Sequence, residues 1–386
     1  MPKFLHRSEI VIIQYYFYVK ALIYINGDKM IWIKNQDKYS DKLKLIFKTT
    51  LTICSIVFAV KFSPQCRDGI INGLSLCMTV LIPSLFVFMV IAQYVANDKV
   101  TDLFGRLFSP ITTKLLKLPK ESSTVLLLSL IGGYPIGARC VATLFDNRLI
   151  NEEQAKKLSL IAVSSGPGFV LNYLGSALLE NTKAGIILFI SQIIAFFTVA
   201  VLIGRTYKVT NESTKAYKKR YNSGIVEAVE SGTKATANMC AMVIAFSALI
   251  SVFDFLLSDY PVVCDALACF LEVTTACNRI CNKYPLYIIS FVTGFSGLCV
   301  HFQIFSAVKE IRINKFAFFM WRIIQGITAS IATYILLIIY PLTDEVFSTV
   351  EATHHSNAAP LWGCCALVLT AVCFLNSLSK TKLNRR

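Results

Sequence analysis

The sequence predicts an all-α, polytopic membrane protein of about 8–10 helical segments, some broken or re-entrant, arranged as an inverted repeat. Three observations carry that expectation. Of 386 residues, 55% are hydrophobic and only 16% charged, with a mean hydropathy of +0.59, whereas a soluble domain carries about 25% charged residues. Apolar runs recur near the roughly 20-residue length that crosses a bilayer. Glycine and proline interrupt several of those runs. An ordinary soluble enzyme is therefore excluded, and the lipid bilayer is the first partner.

Residues 1–45 form a basic leader. Its run 10–25 is aromatic-rich, carries Lys20 and lacks the small-residue cleavage site of a signal peptide, so one reading is an extra helix. The other takes Met30 as the true start, with Lys34, Lys38, Lys42, Lys44 and Lys48 as the basic leader. A first membrane half, 46–204, holds apolar segments at 46–62, 70–96, 123–145, 158–179 and 184–204. Between the second and third, 103–118 around Pro110 is basic and amphipathic, as expected of a piece on the inner membrane surface. A basic linker, 205–222, sets Arg205, Lys208, Lys215, Lys218, Lys219 and Arg220 against Glu212. The second half, 223–377, repeats the plan at 237–257, 262–280, 284–308, 316–343 and 360–377, and a basic tail, 378–386, closes the chain.

The net charge of +15 is confined to these inter-span segments, which points to membrane orientation rather than nucleic-acid binding. Cytoplasmic loops collect Lys and Arg. The linker and tail are thus expected inside a cell membrane, and 344–359, with Asp344, Glu345 and Glu351 but no base, outside. Segment 284–308 then runs inward and 316–343 outward, with Lys309, Arg312 and Lys315 at the cytoplasmic turn. By the same rule 70–96 runs inward and its counterpart 237–257 outward. That opposition is the mark of inverted repeats. Residues 128–145 align with 289–306, and 148–158 with 311–321, at an offset near 160.

The thirteen cysteines mostly lie inside apolar stretches and read as buried thiols. Cys277 and Cys281 share a helix face without the other ligands of a zinc site, so no metal is expected. Cys66 and Cys264 give no ground for an obligatory disulfide.

Chemistry concentrates in residues 128–175. In Gly132, Gly133, Tyr134, Pro135 and Gly137 the helix is broken, because proline removes a backbone donor and glycine permits non-helical angles. Ser164, Ser165, Gly166, Pro167 and Gly168 form a second break with hydroxyls beside it, and Asn172 follows one turn on. A third break, at Gly294, Ser296 and Gly297, falls in the corresponding part of the other half. One break needs no ligand, since kinks and close crossings are common in membrane helices. Three together point to a binding region, where freed backbone groups meet a small polar or anionic solute and a coupling ion. Arg139, alone in an apolar span, is a site candidate, with Asp146 as its partner or with a snorkelling side chain as the alternative. His301 follows Gly297 by one turn and fits a structural hydrogen bond better than a proton relay. Asp265 and Glu272 make 262–280 look like an interfacial helix on the outer face.

GGYPIGAR at 132–139, LINEEQAKKL at 149–158, SGPGF at 165–169 with Gly175, and LIPSLFVFMV at 81–90 carry a family resemblance. The chain resembles the YlbJ-type sporulation integral membrane proteins, which carry a nucleoside-recognition Gate domain. The resemblance runs from about residue 53 to the end and is strongest over 70–180. Val163 and Ser164 stand where the family often has asparagines. The resemblance implies a cell-membrane protein of spore formers that acts in forming the spore cortex.

The leading expectation is a secondary transporter or gate, without a cofactor and without a nucleotide-binding loop. A non-transporting assembly factor is the alternative, with a second copy or other sporulation membrane proteins as partners. A remote third reading is an intramembrane serine protease built on Ser296 with His354 or His355. No other nucleophile or paired-carboxylate motif is present, so no enzymatic activity is expected.

Overall fold

In lipid no water satisfies the backbone, so each apolar run must close its own hydrogen bonds as a helix. The structure is a computed structural model and describes residues 29–97, 109–110, 112–113, 116–119, 122–206 and 224–342. Every regular element among the described residues is helical. The expected span 360–377, the acidic loop 344–359, nearly all of the linker, the tail and the first 28 residues lie outside them.

The chain divides into two units, Met1–Ser63 and Pro64–Arg386. The described part of the first is α1, Lys29–Lys61, whose side chains from Leu45 onward are almost all exposed. The second unit runs twice through the same order of parts. First comes a long rod, made of α2 (Ser63–Leu76), a π-helical stretch (Cys77–Leu81) and α3 (Ile82–Asn97). Then follow α4 (Ser122–Gly132) with α5 (Tyr134–Asp146), α6 (Glu152–Ile161) with the π-helical α7 (Gly168–Leu178), and the long α8 (Thr182–Thr206). The second run is α9 (Ile225–Leu256), α10 (Pro261–Leu271) with α11 (Val273–Ile280), α12 (Leu286–Phe295) with α13 (Gly297–Ala307), and α14 (Lys315–Ile339).

The short pairs are of two kinds. A Cβ on Gly137 would lie 2.1 Å from Ser129 Oγ, although eight residues of continuous helix span about 12 Å. The chain therefore reverses at Gly133, and α4 and α5 form a hairpin. α10 and α11 form another, since the Tyr284 hydroxyl just past α11 donates to Asp265 Oδ2 in α10 at 3.3 Å. By contrast, α6 and α7 do not pack along one another, nor do α12 and α13. Each of these is an interrupted helix. Five stretches among the described residues are long and apolar enough to cross a membrane: Ser63–Val95, Thr182–Thr206, Ile225–Leu256, Leu286–Ala307 and Lys315–Ile339. The protein is a multi-pass membrane protein.

Three expectations change. Segment 123–145 is a hairpin of two short helices rather than one span. Segment 262–280 is likewise a hairpin, with Glu272 1% and Asp265 8% exposed, so its acids face protein and not headgroups. At the end of 103–118, Thr112, Leu116 and Leu118 are buried, and the Lys157 ammonium donates to Leu116 O at 2.6 Å. That end packs into the protein instead of lying on its surface.

Local signals explain several boundaries. Asn151 and Gln154 form a reciprocal capping box at the start of α6, with Gln154 N donating to Asn151 Oδ1 at 2.8 Å and Asn151 N to Gln154 Oε1 at 2.9 Å. Glycines set the crossings. Gly69 packs on Ala248, Gly73 on Ile244 and Gly232 on Val90, so the first rod and α9 run antiparallel at close approach. Gly175 packs on Gly185 where α7 meets α8, and Gly294 on Gly326 where α12 meets α14.

At those last crossings a Cβ on Gly175 would lie 2.7 Å from Gly185 Cα, and one on Gly294 2.8 Å from Gly326 Cα. Backbone cannot yield as a side chain does. Gly175→Val and Gly294→Val are each expected to destabilise the detergent-purified protein by about 1–3 kcal/mol, read as a lower thermal midpoint. Gly224→Val, with nothing within 4 Å of its Cβ position, should leave the midpoint in place.

Candidate functional site

Both hairpin turns and both interruptions meet near the middle of the second unit. Gly133, at φ +88°, turns the first hairpin, and a Cβ on it would lie 3.1 Å from Gly166 N. A Cβ on Gly166 would in turn lie 3.0 Å from Gly133 N and 3.1 Å from Ile131 O. The first turn and the first interruption thus touch backbone to backbone. The second pair repeats this: Ser296 and Gly297 are both left-handed, at φ +75° and +68°, and a Cβ on Gly297 would lie 3.2 Å from Leu271 O and 3.3 Å from Glu272 N. Glu272 holds its own turn, accepting from Thr274 N at 2.9 Å and Thr275 N at 2.6 Å.

A cavity of about 30 Å³ lies where the turns converge, with Gly133, Tyr134, Pro135, Gly166, Glu272 and Thr274 in its wall. That is room for a water or two. Tyr134 OH donates across the halves to Thr293 O at 2.5 Å, with Ser165 and Ser296 beside its hydroxyl.

Behind Tyr134 stands a residue that the sequence reading passed over. Arg322 of α14 is fully buried, donating from Nη1 to Val163 O at 3.1 Å and from Nη2 to Leu160 O at 2.7 Å. It caps the carbonyls released where α6 stops. Its guanidinium lies 5.3 Å from the Phe318 ring centre, and no carboxylate is within ion-pair distance among the described residues. Gln325 Nε2 joins it on Val163 O at 3.1 Å. On α8, Gln192 Nε2 does the same for the other run, donating to Ser290 O at 2.9 Å and Thr293 Oγ1 at 2.8 Å. Gln192 and Gln325 are each ten residues past the first residue of their helices, Thr182 and Lys315. Each long helix therefore serves the interruption of the other run. Arg322 Nε, Gln192 Oε1 and Gln325 Oε1 are buried with no hydrogen-bond partner among the described residues. Such atoms are rare in folded proteins.

The remaining sequence candidates fall in three places. Ser164 is buried at the first interruption, Pro167 leads into α7, and Gly168 packs on Ser84 O. Gly132 and Gly137 belong to hairpin packing, and Gly294 to the α12–α14 crossing. Asn172 is exposed and away from the cavity. Arg139 is half-buried on the return leg of the first hairpin, six residues from its turn, and Asp146 is exposed at that helix's end, so the expected pair is not made. Two helical turns separate them, and neither reaches inward. His301 donates from Nε2 to Phe295 O at 2.9 Å and is boxed by Phe295, Phe318 and Phe319, the structural role. Ser296 donates to Thr293 O and Gly294 O and has no histidine partner among the described residues; His354 and His355 lie outside them. Gly133 and Gly294, which the sequence alignment pairs, sit in unlike places, one turning a hairpin and the other packing on Gly326 at the α12–α14 crossing. Gly166 and Gly297 each stand at an interruption and are each preceded by a serine.

Against known proteins, the chain is similar to the sporulation integral membrane protein YlbJ of Bacillus subtilis (strain 168), at 23% identity over 340 residues. The match covers 74% of this chain and 82% of that protein. No family model matches, and no solved structure matches. The chain is thus a distant homologue of a sporulation integral membrane protein.

One bond tests the link between the halves. Tyr134→Phe removes the cross-half donor to Thr293 O and keeps the ring. It should lower stability by about 1 kcal/mol, while Gln192→Leu, which strips the amide's donations to both Ser290 and Thr293, should cost more. Thermal midpoints of the purified variants give the comparison.

Proposed function

We propose that the protein is a secondary transporter or gate of the sporulation cell membrane, taking a small polar solute between the two hairpin turns. The solute's anionic or acceptor group faces the side of Tyr134 and Arg322, and its donor group faces Glu272. The observation that carries this reading is Arg322. A buried cation with no carboxylate within ion-pair distance among the described residues sets a positive potential at membrane depth, where such residues mark solute paths. Arg322 Nε, Gln192 Oε1 and Gln325 Oε1 each forfeit about 1–3 kcal/mol by lacking a partner, and because none of the three residues lines the central cavity, a solute reaches them only when Tyr134 moves aside. At about 30 Å³ the cavity is closed to anything much larger than water, so the solute enters only when a hairpin moves. A transporter needs such a closed state.

The two runs are inverted repeats in this reading. Each contains three crossings, the rod or long first helix, the interrupted helix and the long last helix, while its hairpin returns to the side it left. Three is odd, so the second run starts from the opposite face. The antiparallel contact of the first rod with α9 supports this. So do the charges: Arg148 and Lys156 fall on the linker side with Lys309 and Arg312, and Asp259 falls opposite. The linker and the C-terminus are cytoplasmic. Nucleoside recognition of the Gate type remains part of the proposal through the resemblance alone.

Two experiments check these statements. Reporter fusions after residues 119 and 148 are expected on the cytoplasmic side, and fusions after 258 and 283 outside. A crossing helix in place of either hairpin would split its pair. Deleting the gene in the source organism is expected to lower the yield of heat-resistant spores. At matched membrane levels Arg139→Ala should restore it, and Arg322→Leu should leave it at least about tenfold low, the scale of one lost charge-assisted hydrogen bond. Full restoration by Arg322→Leu would favour an assembly factor that carries no solute.

A further inference from the structure

A second cavity, apart from the central one, lies between α2, α9 and α11 and measures about 270 Å³. Ligand pockets run from roughly 300 to 1,000 Å³. Its wall carries Asn72 and Ser75 from α2, Ser247 and Ser251 from α9, and Thr275 and Asn278 from α11. Amides and hydroxyls facing one another in this way supply both donors and acceptors. Ser247 is only 3% exposed and its Oγ has no partner; Thr275 Oγ1 has none either. Two residues of the wall therefore carry hydroxyls with no partner, and that of Ser247 lies deep in it, where a modest shift of the wall would bring it to a guest.

The charge of the wall defines the ligand. Arg279 is the cavity's one ionised lining residue among those described, and both of its terminal nitrogens are bonded to the two oxygens of Asp254, Nη1 to Oδ1 at 2.7 Å. The wall is neutral in sum. A charged ligand would shed its hydration without meeting a counter-charge, whereas a hydroxyl or amide exchanges water for equivalent bonds.

We propose that this cavity is a binding site for a neutral, hydroxyl- or amide-bearing small molecule, held on the outer side of the α10–α11 hairpin. One helical turn divides it from the central cavity: Glu272, Val273 and Thr274 line the inner space, and Thr275, Asn278 and Arg279 the outer one. A ligand here touches the same turn that closes the centre. Only the word outer rests on the orientation proposed above; the site rests on its own wall.

The test uses the full chain in intact cells, with Ser247→Cys and Asn278→Cys made separately. A membrane-impermeant methanethiosulfonate is added, and modification is read at each position by mass spectrometry, with buried Cys77 as the unmodified reference. Both new thiols are expected to react. Ribose or propionamide should slow the reaction by about threefold at twice its dissociation constant, and inorganic phosphate should not. Failure of both thiols to react, even with a permeant reagent, overturns the site. So does reaction that ribose, glucose and propionamide all leave unchanged, or that phosphate slows equally. Reaction confined to inside-out vesicles, with ribose protecting, upholds the site and overturns the orientation.

Discussion

Each interruption of a helix in an apolar slab strands backbone donors and acceptors that water cannot reach, and the polar residues of this chain are placed to meet them. Where α6 stops, the carbonyls of Leu160 and Val163 receive Arg322 and Gln325. Where α12 stops, Ser290 and Thr293 receive Gln192 and Tyr134. At the second hairpin turn the Glu272 carboxylate accepts from the first turn of α11. At the first, glycines let one backbone lie on another. The site is a by-product of this accounting: the groups that satisfy the breaks stand closest to them.

The donors come from the wrong half, and that has a mechanical consequence. α8 follows the first interruption yet bonds the second, while α14 follows the second yet bonds the first. The interrupted helices and their long partners are thereby cross-tied into one frame. The hairpins are held differently. The first reaches the frame through Tyr134, and the second is anchored at its base by Asp254 with Arg279 and by Asp265 with Tyr284 and Lys283. The first hairpin is also deeply packed, with Val125, Leu128, Ile136, Ala138 and Val141 buried, so apolar contact holds it to the frame more than hydrogen bonding does.

The breaks themselves were legible in sequence because glycine, proline and serine leave a residue-level mark. Whether a broken segment crosses or turns back was not. GGYP in 123–145 and SGPG in 158–179 look alike as strings, and only the contact of Gly137 with Ser129 separates a hairpin from a crossing. Aligning by apolar composition therefore pairs Gly133 with Gly294, a hairpin turn with a residue of a helix crossing, and the element order shows the mismatch. Glu272 misled for a related reason: its spacing from Asp265 implies one helix face, but a chain reversal at Glu272 leaves no common helix. Arg322 was missed although the rule that singled out Arg139 applies to it equally, one base in the middle of a 25-residue apolar helix. It stands beside no glycine motif, and the carbonyls that it serves lie 159 and 162 residues away in sequence.

Arginine is the residue this position demands. Two carbonyls three residues apart, on a chain leaving its helix, need a rigid planar donor with two terminal nitrogens, and a third donor, Nε, is left over. Lysine offers a single point of charge and would cap one carbonyl well. The same geometry that repairs the break therefore places a guanidinium behind Tyr134, and across the cavity the Glu272 carboxylate is held by amides and not by a base. The two groups are kept apart, each satisfied by backbone rather than by the other. Had they met as an ion pair, the backbone groups that they now hold at two separate breaks would have lost their partners.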